Sequence, residues 1–402
     1  MSKLNITGVK PGSTSLKLTA GKVAKTIPVN VPMPASLPAN RPAAVTLDAT
    51  HVKHAGKAVK ITAPADNTQI VADLFPDYKP TKAETIGVWV WVEPTALAAD
   101  ISTGYARVAM GRIGQAGSMS ELMGTTQLNG LHAGWNLCMF TSVAYQHGAT
   151  LSFRTPKGGS VWVDSLVIDP LKGRKGTIVF THDVNPHMAG VNLVPLYAKY
   201  GLPFDWDANT THNGVSVESV TAIKTAGHTD WGMYSGIPGA TDTPDYTSGD
   251  WSAVVKAMTD ASRIDNLPRA SYVASTNNRL GPAYTLALAQ AGWPLIRGTH
   301  GDGVSTSIDP DWREVMTVTH APALKSLDQW AAAGYTIVVT EHDVKPDAQA
   351  TGSTDTKLSE FEPLLAKAKQ LKDAGLLDVL TMRELAARDV PGALDAWDKN
   401  TD

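Results

Sequence analysis

From residue 176 to residue 385 the chain alternates short apolar runs with amphipathic stretches about eight times across roughly 210 residues. Strands separated by helices cannot pair as hairpins, so they run parallel and bury both faces. Residues 177–181, 203–206, 228–234, 270–274, 295–298, 315–319, 336–340 and 378–381 read as strands. Helices are expected over 191–200, over 217–226 behind Ser216, over 251–261 behind Asp250, and over 282–291, 322–333 and 358–374, with Gly375 closing the last. This pattern predicts an α/β barrel, an incomplete parallel β/α barrel, over residues 171–402.

Upstream the period changes. Residues 45–170 hold runs such as Ile86-Gly-Val-Trp-Val-Trp-Val92 and Val161-Trp-Val-Asp-Ser-Leu-Val-Ile168, rich in β-branched and aromatic residues. Shorter candidates lie at 59–62, 106–110, 134–140 and 150–154, with no helical stretch between them. An all-β jelly-roll or sandwich domain is expected there, with carbohydrate binding as its candidate role. Residues 1–44 carry β-like pieces at 15–18 and 26–31. The stretch 31–42 then places four prolines in twelve residues, which reads as a linker.

Composition excludes several classes. Net charge is −3 with 18% charged and 43% hydrophobic residues, so neither a polyelectrolyte nor a nucleic-acid-binding surface is expected. Cys138 is the only cysteine, which excludes an intrachain disulfide and any multi-cysteine metal site. No segment reaches the ~18 apolar residues of a membrane helix, so no membrane insertion is expected. The opening Met1-Ser-Lys-Leu-Asn-Ile-Thr lacks the basic-then-apolar pattern of a signal peptide. Eleven tryptophans against six phenylalanines suit either sugar stacking or core packing.

In a parallel barrel, functional groups gather at the C-terminal ends of the strands. The polar residues beside the apolar runs are His182 and Asp183, His228 and Asp230, Arg269 and Tyr272, His300 and Asp302, and Glu341, His342 and Asp343. Four histidines and five carboxylates on one mouth would supply a general base, a general acid and ligands for a metal.

Gly176-Thr-Ile-Val-Phe-Thr-His-Asp-Val-Asn-Pro186 is an apolar strand followed by His-Asp-Val-Asn-Pro. Ala226-Gly-His-Thr-Asp-Trp-Gly232, Arg269-Ala-Ser-Tyr272, Thr336-Ile-Val-Val-Thr-Glu-His342 and Val379-Leu-Thr-Met-Arg-Glu-Leu385 follow in order. In order and spacing these resemble the motifs of the polysaccharide deacetylases of carbohydrate esterase family 4. The resemblance covers about half of the chain, residues 176–385. It implies Asp183 as general base, Arg269 as the residue orienting it, Tyr272 near the oxyanion site and His342 as general acid. It also departs from that family. Val184 stands where a metal-binding aspartate is usual, and Tyr234-Ser-Gly-Ile-Pro238 stands where the family has two metal histidines. Shifted by one residue, Asp183 takes the metal aspartate position and His182 that of the base. Two readings stay open: a divalent metal such as zinc on a rebuilt site of His182, Asp183 and His228, or no metal.

The expected function is a carbohydrate-active hydrolase, deacetylating an extracellular or capsular polysaccharide, with His182, His228, Asp230, Tyr234, Arg269 and Tyr272 as the substrate-binding wall. Two alternatives are a depolymerase that cleaves glycosidic bonds, pairing Asp183 with Asp230, Glu341 or Asp343, and a non-catalytic glycan-binding protein. An extracellular substrate for a chain without signal or disulfide suggests a virion protein such as a phage tail component, expected as a homotrimer.

Overall fold

The computed structural model describes residues 16–20, 23–27, 29–32, 43–54, 56–65, 68–75, 84–96, 107–112, 133–142, 149–155, 157–234, 251–274, 282–298 and 303–400. The chain forms two compact units, Met1–Ala98 with Thr103–Gly173, and Ala99–Ser102 with Arg174–Asp402.

Among the described residues the first unit is built of antiparallel strands, with one short 3-10 turn at Pro94–Ala96. Its strands are β1 (Leu16–Ala20), β2 (Val23–Ile27), β3 (Val29–Pro32), β4 (Val45–Asp48), β5 (Ala58–Thr62), β6 (Thr68–Phe75), β7 (Glu84–Val92), β8 (Arg107–Arg112), β9 (Gly134–Ser142), β10 (Ala149–Thr155) and β11 (Ser160–Ile168). One sheet runs β4-β5-β11-β7-β9 with β3 also on β11; a second runs β6-β10-β8, and β1 pairs β2. Alternate residues of β7, Ile86, Val88, Val90 and Val92, point into a core with Phe140, Val161, Val163, Ile70, Leu74 and Phe153. The linker expected over 31–42 begins later than expected. Val31 and Pro32 close β3, paired with Leu166 and Ser165. Proline is tolerated there at the strand's end. Cys138 is buried, and burial pushes its thiol up to about 12, so it is inert.

The second unit is a nearly closed parallel barrel. Its strands are β12 (Gly176–His182), β13 (Asp205–Asn209), β14 (Trp231–Tyr234), β15 (Tyr272–Ala274), β16 (Leu295–Gly298), β17 (Glu314–Val318), β18 (Thr336–Glu341) and β21 (Leu377–Leu380), with a two-residue pair β19 (Val344–Lys345) and β20 (Thr356–Lys357) outside the barrel sheet. The sheet runs β13-β14-β15-β16-β17-β18-β12-β21. β12 uses its start, Gly176–Val179, to pair β21, and its end, Thr181 and His182, to pair β13. The ring is thus closed by two residue pairs at the C-terminal end of β12 only.

Helices at Val217–Thr225, Ser252–Asp260, Pro282–Gln290, His320–Ala332 and Leu358–Asp373 cover the barrel. The helix expected behind Asp250 begins one residue later, at Ser252; Asp250 lies outside the described residues. Two C-terminal helices, Met382–Asp389 and Pro391–Lys399, were not legible in the sequence pattern. Three strands start later than the apolar runs suggest. Gly227, at φ +81°, ends the helix before β14, and His228 N–H donates to Ile223 O, so residues 228–230 precede the strand. Likewise Ala270 N–H donates to Ser262 O, leaving Arg269 in the loop before β15. Residue 203 stands two places ahead of β13.

Tryptophans mostly serve the core. Trp206, Trp231, Trp293 and Trp397 are fully buried in the second unit. Trp162 is buried in the first, where Trp89, Trp91 and Trp135 are half-buried beneath His51, Lys53 and His54.

Candidate active site

The C-terminal ends of β12, β13, β14 and β18 converge on a cavity of about 360 Å³, lined by Asp183, Val184, Asn185, Asp207, Asn209, Asn213, Tyr234 and His342. Asp183 follows the last residue of β12. Its N–H donates to Glu341 O at 2.8 Å, and Val184 O accepts Asp207 N–H at 3.2 Å. The turn that carries Asp183 is therefore clamped between β18 and β13. Asp207 sits at the middle of β13 with its side chain inside the barrel.

Arg297 lies behind both carboxylates. It is the third residue of β16, and its side chain is wholly buried. The guanidinium pairs with Asp183 Oδ1, donates to Thr181 Oγ1 at 2.9 Å and stands 3.4 Å from Asp207 Oδ2. Tyr272 O–H donates to Asp207 Oδ1 at 2.5 Å. Gly232 on β14 makes room for that tyrosine: a Cβ there would stand 2.3 Å from the Tyr272 ring. Burial raises both carboxyls. At Asp183 burial is the largest single effect, but the Arg297 charge together with hydrogen bonds from Asp207 and Arg297 outweighs it and holds the group below its ordinary 3.8. At Asp207 burial prevails, joined by the charge of Asp183, and the group is pushed well above 3.8.

His342 faces the same cavity, held between two carboxylates that are committed elsewhere. Glu341 accepts from His320 N–H at 2.7 Å, from its Nδ1 at 2.6 Å and from Thr356 Oγ1 at 2.7 Å. Asp343 accepts Asn192 Nδ2 on both oxygens, at 2.9 and 2.8 Å, with Lys345 3.6 Å away.

The sequence-derived residues divide sharply. Asp183, Tyr234 and His342 meet at the cavity. Tyr272 is buried one layer below, reaching it through Asp207. His182 does not join them. It alternates outward from β12 into an aromatic layer with Tyr197, Phe204 and Phe361. Its Nδ1 donates to His342 O at 2.8 Å and its Nε2 lies 2.7 Å from the Tyr197 hydroxyl, while burial lowers its pKa and so favours the neutral ring. The expected placement of His228, Asp230 and Arg269 at the mouth is also corrected. All three precede their strands and therefore lie at the barrel's N-terminal end. His228 packs 4.3 Å from the Phe204 ring, and burial lowers it to about 4. Asp230 accepts Thr381 Oγ1 at 2.6 Å. Arg269 stacks 3.4 Å over Trp397 and donates to Ser262 Oγ and Trp397 O. His300 and Asp302 lie outside the described residues.

These contacts also test a metal site. Both ring nitrogens of His182 are occupied, and the Phe204 ring packs against both His182 and His228. The Asp183 carboxylate is taken by a guanidinium. Among the described residues no three His, Cys, Asp or Glu side chains are grouped to hold a metal ion. The set His182, Asp183 and His228 does not fit zinc.

Sequence reasoning missed Asp207 and Arg297. Arg297 is a charged residue inside an otherwise apolar strand, Leu295-Ile-Arg-Gly298, and a charge in that setting must be buried and paired, which is the signal that could have found it. Asp207 carries no such signal, because its strand Asp205-Trp-Asp-Ala-Asn209 is mostly polar.

No family model and no curated protein matches the chain. Among solved structures, a Mycobacterium smegmatis protein assigned as a polysaccharide deacetylase aligns at 12% identity and TM-score 0.40, over 55% of this chain and 92% of its own. A family 4 acetyl xylan esterase from Clostridium thermocellum aligns at 16% and 0.33, over 52% and 89%. A family 4 pseudoenzyme from Bacillus anthracis aligns at 11% and 0.32, over 53% and 66%.

Proposed function

We propose that the barrel is a deacetylase-like hydrolase that removes acetyl groups from a polysaccharide, with Asp183 as general base and His342 as general acid. One observation carries this reading: an ionised aspartate, fixed by a buried guanidinium, opens with a histidine onto a cavity lined by neutral hydrogen-bonding side chains. Asn185, Asn209, Asn213 and Tyr234 suit hydroxyl and amide groups of a sugar. Arg297 takes the orienting role that the resemblance gave to Arg269. Asp183 accepts a proton from water as the water oxygen attacks the acetyl carbon, and His342 gives a proton to the departing oxygen or nitrogen.

A second reading, glycan binding without catalysis, is favoured by the same guanidinium, since a carboxylate neutralised by arginine is a weaker base. Glycosidic cleavage ranks below both. Asp230, Glu341 and Asp343 are held by other partners, and Asp207 shares one guanidinium with Asp183 instead of facing it across a bound sugar. In the first unit, successive strands β5 to β11 alternate between the two sheets, which supports a jelly roll. The virion context, and the homotrimer it carries, we retain as part of this proposal.

The test is acetate release from acetylated xylan and from N-acetylglucosamine oligomers. We expect acetate without new reducing ends. Asp183→Asn should fold and lose at least roughly 10²-fold in turnover. New reducing ends without acetate would favour depolymerisation. Binding without either product would favour the glycan-binding reading.

A further inference from the structure

The barrel interior holds a charge imbalance. Asp183, Asp207 and Arg297 are all at least nine-tenths buried, and among their described neighbours Arg297 is the one permanent cation; His342 adds a charge toward Asp183 only when protonated, and Asp205 is a further carboxyl beside Asp207. Two ionised carboxylates would leave a surplus negative charge in a site with little water. Asp207 Oδ1 is satisfied by Tyr272 O–H at 2.5 Å, yet Oδ2 is buried without a hydrogen bond. That oxygen stands 3.4 Å from Arg297 Nη1 while Asp183 Oδ1 pairs with Nη2 of the same guanidinium, so the two carboxyls meet on one cation, close enough for a hydrogen bond between their side chains. A proton on Asp207 Oδ2 resolves both problems. It removes the surplus charge and turns an orphaned acceptor into a donor toward Asp183.

We propose that Asp183 and Asp207 form one proton-sharing carboxyl pair, with Arg297 as its fixed cation, and that Asp207 is a second catalytic residue of the site. The chemistry rests on the hydrolase reading; the pair itself does not. In the attack, the water oxygen bonds to the acyl carbon while one water proton passes to Asp183. Once Asp183 holds that proton it no longer needs the Asp207 O–H, which turns to donate to the carbonyl oxygen as the π pair moves onto it. The C–N or C–O bond then breaks, its pair leaving with nitrogen or oxygen, which takes a proton from His342. The proton gained by Asp183 restores His342 through solvent, so one water is consumed and acetic acid and an amine or alcohol result. Arg297 supplies the positive charge near the reacting oxygen, with no metal in the sequence of steps.

The pair can be tested without substrate, by carbon-13 NMR of full-length protein labelled at the aspartate carboxyl carbons and titrated with pH. Asp183→Asn and Asp207→Asn assign the two signals. Tyr272→Phe, which removes the bond to Asp207 Oδ1, assigns Asp207 independently if either variant misfolds. At neutral pH the pair should carry one proton in the wild type. In Asp183→Asn, Asp207 faces Arg297 alone and should become ionised at the same pH. Two fully ionised carboxylates in the wild type would overturn the proposal. So would an Asp207 signal unchanged by Asp183→Asn. Where the wild type releases acetate from N-acetylglucosamine oligomers, Asp207→Asn should lower turnover by roughly 10²-fold and move the pH profile. Unchanged rate and profile would remove Asp207 from catalysis. A wild type that releases no acetate but shows the shared proton would sink the hydrolase reading and leave the pair standing.

Discussion

Gly232 shows how one residue sets the electrostatics of the cavity. Its missing Cβ is filled by the Tyr272 ring, whose hydroxyl from there reaches Asp207. Gly232→Ala forces the ring to move by several tenths of an ångström or more. Overpacking of this kind costs about 1–3 kcal/mol, which for a domain of this size is a fall of roughly 2–12 °C in melting temperature. The hydroxyl should also lose Asp207. Tyrosine fluorescence will not separate these effects among so many aromatic residues. Thermal melts of Gly232→Ala, Tyr272→Phe, Tyr272→Gly and the Gly232→Ala/Tyr272→Gly double variant will. We expect Gly232→Ala to be destabilising on the wild type and nearly neutral on Tyr272→Gly, where the space is empty. Equal destabilisation on both backgrounds would show that the ring contact is not the cause. The same glycine stood in the quoted stretch Ala226–Gly232, but nothing in a sequence says which side chain from the next strand will fill the gap.

Helix starts carry the pH response of the barrel. The helix His320–Ala332 begins beneath Glu341, which accepts both the His320 backbone N–H and its ring Nδ1. The bond to Glu341 raises His320 above 6.5, against burial. Burial would raise Glu341, but the His320 bonds outweigh it and hold the carboxyl below 4.5. The signs follow from linkage. His320 contributes fully below its unfolded value near 6.5 and fades as pH rises through the raised folded value. Glu341 contributes fully above its unfolded value near 4.5 and fades as pH falls through the lowered folded value. The pair therefore stabilises most between about pH 4.5 and 6.5. His320→Gln should cost about 1–2 kcal/mol in that window and less on either side. A melting-temperature difference independent of pH would refute the ion pair. Elements such as this helix were legible to within two residues, because apolar period and proline placement fix them. The short strands β14 and β15 were not. A three- or four-residue strand carries too few side chains to mark its ends, so polar residues before it look the same as polar residues after it. That ambiguity sent His228, Asp230 and Arg269 to the wrong end of the barrel, and it left Tyr234, at the right end, with little to distinguish it. The C-terminal helix Pro391–Lys399 was missed although its Trp397, fully buried under Arg269, is its anchor.

The two units keep separate cores. Among the described residues, the buried cluster from Val45 to Ile168 contains no residue of the barrel, and the two clusters of the barrel contain none of the first unit. Cooperative unfolding follows contiguous cores, so calorimetry should resolve two transitions. This separation also allows sugar binding to be assigned to a unit. Two surfaces compete. One is the polar cavity with Asp183 and His342 in the barrel. The other is the tryptophan-bearing sheet face of the first unit, where His51 stacks on Trp91 at 3.4 Å and Lys53 lies 4.1 Å over Trp89. That face is already occupied by its own loop, so a sugar ring would have to displace bonded side chains before stacking. The barrel cavity requires no such displacement. An N-acetylglucosamine oligomer at a hundredfold excess over its dissociation constant adds about 2.7 kcal/mol to the unit that binds it and nothing to the other. We expect the barrel transition alone to rise, and the rise to shrink in Asp183→Asn. A shift confined to the first unit would move the glycan site to the tryptophan face and leave the barrel without a sugar ligand of this kind.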